Sequence, residues 1–430
     1  MTRVIEFLIA VAIVAALFVL VGLFLPASQT VTHTIETNHP VRQVYDTLAG
    51  FQRFRHWNPM RQHDPRVRYE VTGPRTGVGA RLDYHSDHSQ VGEGSLEIVD
   101  AEQDSRVVVH QENAFYGSDK THVFELKPAT SGKTVTISWT YDVDYGWNLF
   151  GRYAGLYVSR NVGEDMKRGL GNLAGLIATM PNFDYADLDI APRLVQPTNT
   201  VFVATTAERN ITAVENAMVL ALRDIRRAIQ ANGLEEAGPF RLVTTNFGDT
   251  TYDFDIAIPV RMPVPAVDDA EGEGEDAAAV EGEGEEALGA AAPVTSPAAS
   301  GQQADPCAQP LQPAEAIDGA ALELPSNVSF GPGYAGCALV AEYVGHPAAL
   351  PLVRDMLRSF AAAHGYEIHS RAFEEYLSPM EEMELGDAHF QVYWPVVHPN
   401  NPPPPPVVEP EAPAEAEAAE AAEGGEAGGQ

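Results

Sequence analysis

Residues 135–144, VTISWTYDVD, followed by SRNVGEDMKRGLGNLAGLIA at 159–178, decide how the first half of this chain folds. Val135, Ile137, Trp139, Tyr141 and Val143 alternate with smaller polar residues, the period of a strand with one buried face. Val158, Val162, Met166, Leu170 and Leu173 recur at three- and four-residue spacing, which predicts an amphipathic helix. Upstream lie five more strand-like runs separated by turn residues: RVRYEVT, GARLDYHS, GEGSLEIVDAE, RVVVHQEN and THVFELKP. Before them, VTHTIET (31–37) reads as a β-branched strand. A helix then follows with Asn38 as cap, Pro40 in its first turn, and Val41, Val44, Tyr45 and Leu48 on one face.

Strand, short helices, antiparallel meander and long closing helix together resemble the START-like (SRPBCC, polyketide cyclase/dehydrase) superfamily. The residues that carry the resemblance are HPVRQVYDTLAGFQRFRHWNP (39–59), VGARLDYHSDHSQVGEGSLEIVDAEQDSRVVV (78–109) and MKRGLGNLAGLI (166–177). The resemblance implies a helix-grip domain over 30–182, with an apolar cavity between sheet and helix for a hydrophobic ligand. Trp139, Tyr141 and Trp57 are the residues expected to line it.

Residues 199–398 read as one unit used twice. The first copy is strand NTVFVATT, helix 211–230 opened by a Thr212/Glu215 capping box, then strands PFRLVTTNF and TYDFDIAIPV. The second is strand CALVAEYVG, helix 347–364, then strands IHSRAFEEYL and AHFQVYWPV. This duplicated β-α-β-β pattern is similar to the gyrase-inhibitor-like effector-binding domain, also found at the C-terminus of multidrug-responsive transcription regulators. The most specific piece is FEEYLSP (373–379), followed by FQVYWPV. The resemblance implies a cleft between the copies for flat, often cationic, apolar molecules. Glu374 and Tyr376 share one strand face beneath it, with Trp394 among the nearby aromatics, and Glu375 points the other way. Two departures stand out: no helix-turn-helix precedes the domain, and a long acidic insertion interrupts it.

The chain has 430 residues, 27 basic and 60 acidic side chains, and a net charge of −33. Residues 268–286 carry ten carboxylates and the tail from Pro399 seven more, about half of that charge. Both stretches lack aromatic residues and are expected to be disordered, over 264–325 and 399–430. No Lys or Arg falls between Arg261 and Arg354, and nucleic acid is excluded as a partner. Cys307 and Cys337 are compatible with one disulfide in an oxidising compartment or with two separate thiols.

From Phe7 to Leu25 nineteen residues carry no charge. A helix of that length rises ~28 Å, close to the hydrocarbon thickness of a bilayer, whereas signal-peptide cores run to only ~7–15 residues. An uncleaved single-pass anchor over 4–25 is expected. Arg3 before it and no basic residue until Arg42 favour a body on the extracytoplasmic, periplasmic side.

Several motifs carry no chemistry. His85 and His88 lack the further ligands that a metal site needs, and no metal or cofactor is expected. GPGYAG (331–336) precedes a strand rather than a helix, so it reads as a flexible lead-in and not a nucleotide loop. There is no G-x-S-x-G elbow. The reading is therefore an α+β chain: one transmembrane helix, a helix-grip START-like domain, and an effector-binding domain at 197–398. Its expected partners are the membrane and a small apolar or amphipathic ligand; no motif identifies a protein partner. The alternatives are a cyclase- or hydrolase-type enzyme with Glu374 as general base, or a scaffold using the acidic insertion.

Overall fold

The computed structural model describes residues 2–263, 305–380 and 386–397. It opens with α1 (Thr2–Phe24), long and apolar enough to cross a membrane. Strand β1 (Ser28–Thr37) leads to three short helices, α2 (Val41–Leu48), α3 (Phe54–Trp57) and α4 (Met60–His63). A meander follows: β2 (Arg68–Thr72), β3 (Arg81–His85), β4 (Glu93–Glu102), β5 (Arg106–Asn113), β6 (Ser118–Pro128) and β7 (Val135–Asp144). Helices α5 (Leu149–Gly155) and α6 (Val158–Ala178) close the unit. Its seven strands form one antiparallel sheet in the order β1-β7-β6-β5-β4-β3-β2.

This is a helix-grip-like arrangement with α6 lying across the sheet. Strand β7 buries every second residue from Val135 to Val143, as the alternation predicts. Register shifts at Ile98–Asp100 and Ser118–Thr121 bend strands and increase local twist. Met166, Leu170, Leu173 and Ile177 of α6 meet Val44, Leu48, Phe54 and Trp57 and the inner sheet face in one core. Gly169 matters to this packing, because a Cβ there would sit 2.8 Å from the Trp139 ring. The Asn38 cap does not form: α2 starts at Val41 with Pro40, in extended geometry, as its N-cap.

The second sheet has nine strands. They are β8 (Ile190–Val195), β9 (Asn199–Glu208), β10 (Glu235–Glu236), β11 (Arg241–Phe247), β12 (Thr251–Arg261), β13 (Ser329–Pro332), β14 (Gly336–Gly345), β15 (Phe373–Tyr376) and β16 (Ala388–Pro395). The order is β13-β9-β12-β11-β15-β16-β14-β8, with β10 beside β12. Helix α7 (Ile211–Ala231) follows β9 and α8 (Leu350–His364) follows β14, and both pack into one core with the sheet. Pairing of β11 with β15, Leu242 opposite Glu374, joins the two parts of the sheet.

Several expectations are corrected here. Asn210, not Thr212 and Glu215, caps α7, its side chain accepting from the Ala213 amide. GPGYAG is not merely a lead-in, since β13 takes in its first two residues and pairs with β9. Residues 305–325, expected to be disordered, pack against the sheet. Cys307 forms a disulfide with Cys337 at a Cα–Cα distance of 5.4 Å. Ile317, Leu322 and Leu324 join the core, and Asn232 brackets Glu323 through its backbone N–H and C=O. The acidic run ends well before this stretch, so its apolar residues can repay their ordering. Residues 264–304 and the tail from 399 lie outside the described residues. Strand β8, unforeseen, carries the second sheet back to Ile190.

The two sheets meet through the C-terminal end of α8. Arg53 donates to the Ala362 carbonyl at 2.7 Å and Arg75 to the His364 carbonyl at 2.9 Å, satisfying carbonyls that the helix leaves open. Gly365 ends α8 at φ 74°, the left-handed cap conformation.

Candidate functional site

Two cavities stand out, one under each sheet. The first, about 340 Å³, lies between α6 and the seven-stranded sheet. Trp139 and Tyr141 line it, together with Phe54, Trp57 and Phe124. The aromatic walls interlock: Trp57 meets Trp139 edge-on at 5.8 Å and Phe124 at 6.0 Å. At one rim His63 Nε2 lies 3.0 Å from both oxygens of Asp165.

Polar residues gather at one place in this wall, and their hydrogen bonds have a direction. An indole nitrogen can only donate, so Trp139 Nε1 gives its proton to His122 Nδ1 at 3.1 Å. Burial lowers the His122 pKa from 6.5 to about 4, so the ring is neutral with its proton on Nε2. That proton goes to Gln111 Oε1 at 3.0 Å, which turns the Gln111 amide nitrogen toward the Tyr84 hydroxyl at 3.2 Å. A second chain reaches the same oxygen. Lys120 Nζ, also buried, donates to Asn113 Oδ1, Asn113 O and Phe115 O at 2.7, 3.3 and 2.7 Å. The Asn113 Nδ2 therefore faces Tyr84 Oη, at 3.4 Å.

Tyr84 thus receives two donors, and its own proton has no acceptor among the described residues. Trp57 Nε1, in the same wall, is also buried without a partner. Gly94 makes room for this arrangement: a Cβ there would stand 2.6 Å from Tyr84 Oη. An apolar chamber offering unspent donors suits a small apolar molecule with an acceptor oxygen.

The second cavity, about 430 Å³, lies between the starts of α7 and α8. Tyr376 lines it, with Tyr252, Phe247, Met218 and Arg354. Glu374 does not. It is fully buried behind Arg354, whose Nε donates to Glu374 Oε1 while Nη2 donates to the Tyr252 hydroxyl at 3.0 Å. Burial pushes the Glu374 carboxyl up from its ordinary value, against the opposing pull of the Arg354 guanidinium. The carboxylate expected to meet a ligand cation therefore meets one of the protein's own. Nor does it face the cavity, as the general-base alternative requires. Trp394 is half-buried outside both cavities, with Arg358 over its ring at 5.8 Å. Glu375 points to the opposite sheet face, held by Arg241 at 2.8 Å and the Tyr393 hydroxyl at 2.8 Å.

Comparison with known proteins bears on the first unit. Residues 28–178 match the family described as polyketide cyclase/dehydrase and lipid transport. This stretch is a polyketide cyclase/dehydrase-type domain. Solved structures similar to the chain include norcoclaurine synthase from Thalictrum flavum in complex with dopamine and hydroxybenzaldehyde. It is 12% identical, with 35% of this chain and 87% of that one covered, at a TM-score of 0.28. A protein from Thermobifida fusca is 19% identical over 34% of this chain and 90% of its own, at a TM-score of 0.28. The EcmrR C-terminal domain is 12% identical over 49% of this chain and 97% of its own, at a TM-score of 0.31. No curated protein matches the chain.

The polar cluster of the cyclase-type domain escaped the sequence reading, although a signal existed. Lys120 and His122 share an inward strand face with Phe124 and Leu126, and Gln111 and Asn113 continue the face of Val107 and Val109. Polar residues at the end of two adjacent apolar faces mark a lined chamber rather than a plain core. Arg354 sat unnoticed beside the apolar stripe of α8.

Two outcomes follow from these geometries. Glu374→Gln strands a buried guanidinium and lowers stability by about 3–5 kcal/mol in chemical denaturation. Adding Arg354→Leu recovers much of that loss, and an unchanged Glu374→Gln variant contradicts the pairing. For His122 the folded pKa lies below the unfolded one, so the unfolded chain takes up the proton first as pH falls. Stability is complete above about pH 6.5 and declines toward pH 4, by about 2–3 kcal/mol for this group. Denaturation at several pH values shows this slope flattened in His122→Asn.

Proposed function

We propose that this chain is a single-pass membrane protein whose cyclase-type domain binds a small apolar molecule bearing an acceptor oxygen. The observation that carries the reading is the pair of hydrogen-bond chains ending on Tyr84 with its proton unspent. Binding accounts for the cavity better than turnover does. Both His122 nitrogens are engaged, and all three Lys120 donors rest on carbonyl oxygens, so neither is free to move a proton. The apolar length of α1 supports anchoring, and the Cys307–Cys337 disulfide supports a body on the extracytoplasmic side.

The reading extends to residues 197–398 as an effector-binding unit of two β-α-β-β halves, with its pocket between α7 and α8. Its ligand is mainly apolar. Arg354 and Glu374 neutralise each other, and the lining adds Arg209 and Glu215, one charge of each sign. The two pockets then sense or sequester apolar molecules where these concentrate, at a membrane.

The test uses the full chain in lipid nanodiscs and 2-acetylnaphthalene, an aromatic ketone, followed by tryptophan fluorescence. Tyr84→Phe weakens its binding about 2- to 13-fold, the worth of about 0.5–1.5 kcal/mol for one hydrogen bond. Binding of 2-ethylnaphthalene, which lacks the oxygen, stays the same. Equal effects on the two compounds, or none on the ketone, overturn the reading.

A further inference from the structure

Helix α1 does not leave the body as a free stalk. Phe18 stacks on Tyr153 of α5 with ring centroids 4.5 Å apart, and the Tyr153 hydroxyl donates to the Phe18 carbonyl at 2.9 Å. Gly22 lets α5 approach, since a Cβ there would lie 3.1 Å from Leu149. Arg152 Nη1 donates to the carbonyls of Gly22, Leu23 and Leu25 at 3.3–3.4 Å, groups that the last turn of α1 cannot satisfy itself. Its Nε and Nη2 grip the Gly146 carbonyl at 2.8 and 2.6 Å. The body is thereby clamped to the final turns of the apolar helix.

Around this clamp the surface is apolar and aromatic. Trp147 is 82% exposed, Phe150 65%, Leu156 54% and Tyr157 62%. Aromatic rings in such numbers beside the end of a spanning helix suit the headgroup boundary of a bilayer. The depth agrees. From Phe18 to Phe24 is six residues, or ~9 Å of helix, and interfacial helices sit ~5–10 Å into that boundary.

The lining of the first cavity reaches the surface at the same place. One lip is Ala154 and Val158, at the α5–α6 junction; the other is Phe115 and Tyr116, exposed on the β5–β6 turn. Tyr145 ties the lips together. A Cβ on Gly151 or Gly155 of α5 would lie within 2.9 Å of its ring, and one on Gly117 of the turn within 3.2 Å.

We propose that α5 and the β5–β6 turn rest in the interface of the bilayer that α1 crosses, so that the cavity opens onto lipid and takes its ligand from the membrane. This rests on the anchored reading above. The closing experiment separates the two. The full chain is reconstituted into phosphatidylcholine vesicles with or without acyl chains brominated near the headgroup, then washed in alkaline carbonate. Loss of the protein in the wash defeats the anchor and the proposal with it. With the protein retained, brominated lipid quenches about a quarter of the emission, the share of one tryptophan in four, and Trp147→Phe abolishes the quenching. Retained protein whose emission is unquenched, or quenched equally in Trp147→Phe, overturns the proposal and leaves the anchor standing. A second variant tests passage: Leu156→Ser with Tyr157→Ser slows uptake of 2-acetylnaphthalene from vesicles several-fold without changing its equilibrium affinity. Unchanged uptake overturns the route from the membrane.

Discussion

The close packing of α6 on Trp139 is the contact on which the first half of the molecule depends. Gly169 permits it, since any side chain at that position would strike the indole. With the ring held there, its N–H points at His122, and His122 can then carry its proton on only one nitrogen. Gln111 and Tyr84 follow in turn. A packing constraint between a helix and a strand thus becomes a chemical preference at a cavity wall, four residues away. A buried donor without a partner is costly until something supplies an acceptor.

Arg354 plays the corresponding part in the second sheet. It connects α8 to β15 through Glu374 and to β12 through Tyr252, so one guanidinium binds together three elements around a cavity. Removing a charge from such a pair is costly because the remaining partner stays buried. The carboxylate is a structural partner and not part of the cavity lining.

How much of this was legible in the chain differs by element. The alternation of β7 and the three-four spacing of α6 placed both elements, because each buries one face and the period survives in the residues. Trp139 and Tyr141 could be assigned to a cavity for the same reason. The Tyr84 chains could not, since they join three strands and the direction of each bond depends on the one before it. The partner of Glu374 lies on a helix twenty residues earlier, and no local pattern says which helical residue will sit over a given strand. Composition groups residues 305–325 with the acidic run, although Ile317, Leu322, Leu324 and a disulfide hold them to the sheet. Charge density argues for disorder only where the charges are.

The first cavity, the docked apolar helix and the aromatic surface beside it lie together, and the proposed reading makes of them a binding chamber at a lipid boundary. Its central claim is a hydrogen bond from Tyr84 to an oxygen of the ligand. Infrared difference spectroscopy of carbonyl-labelled 2-acetylnaphthalene bound to the full chain tests it most directly. The account predicts a carbonyl stretch below its frequency in alkane, returning toward that frequency in Tyr84→Phe. A bound ketone absorbing at the alkane frequency in the unaltered protein would contradict it.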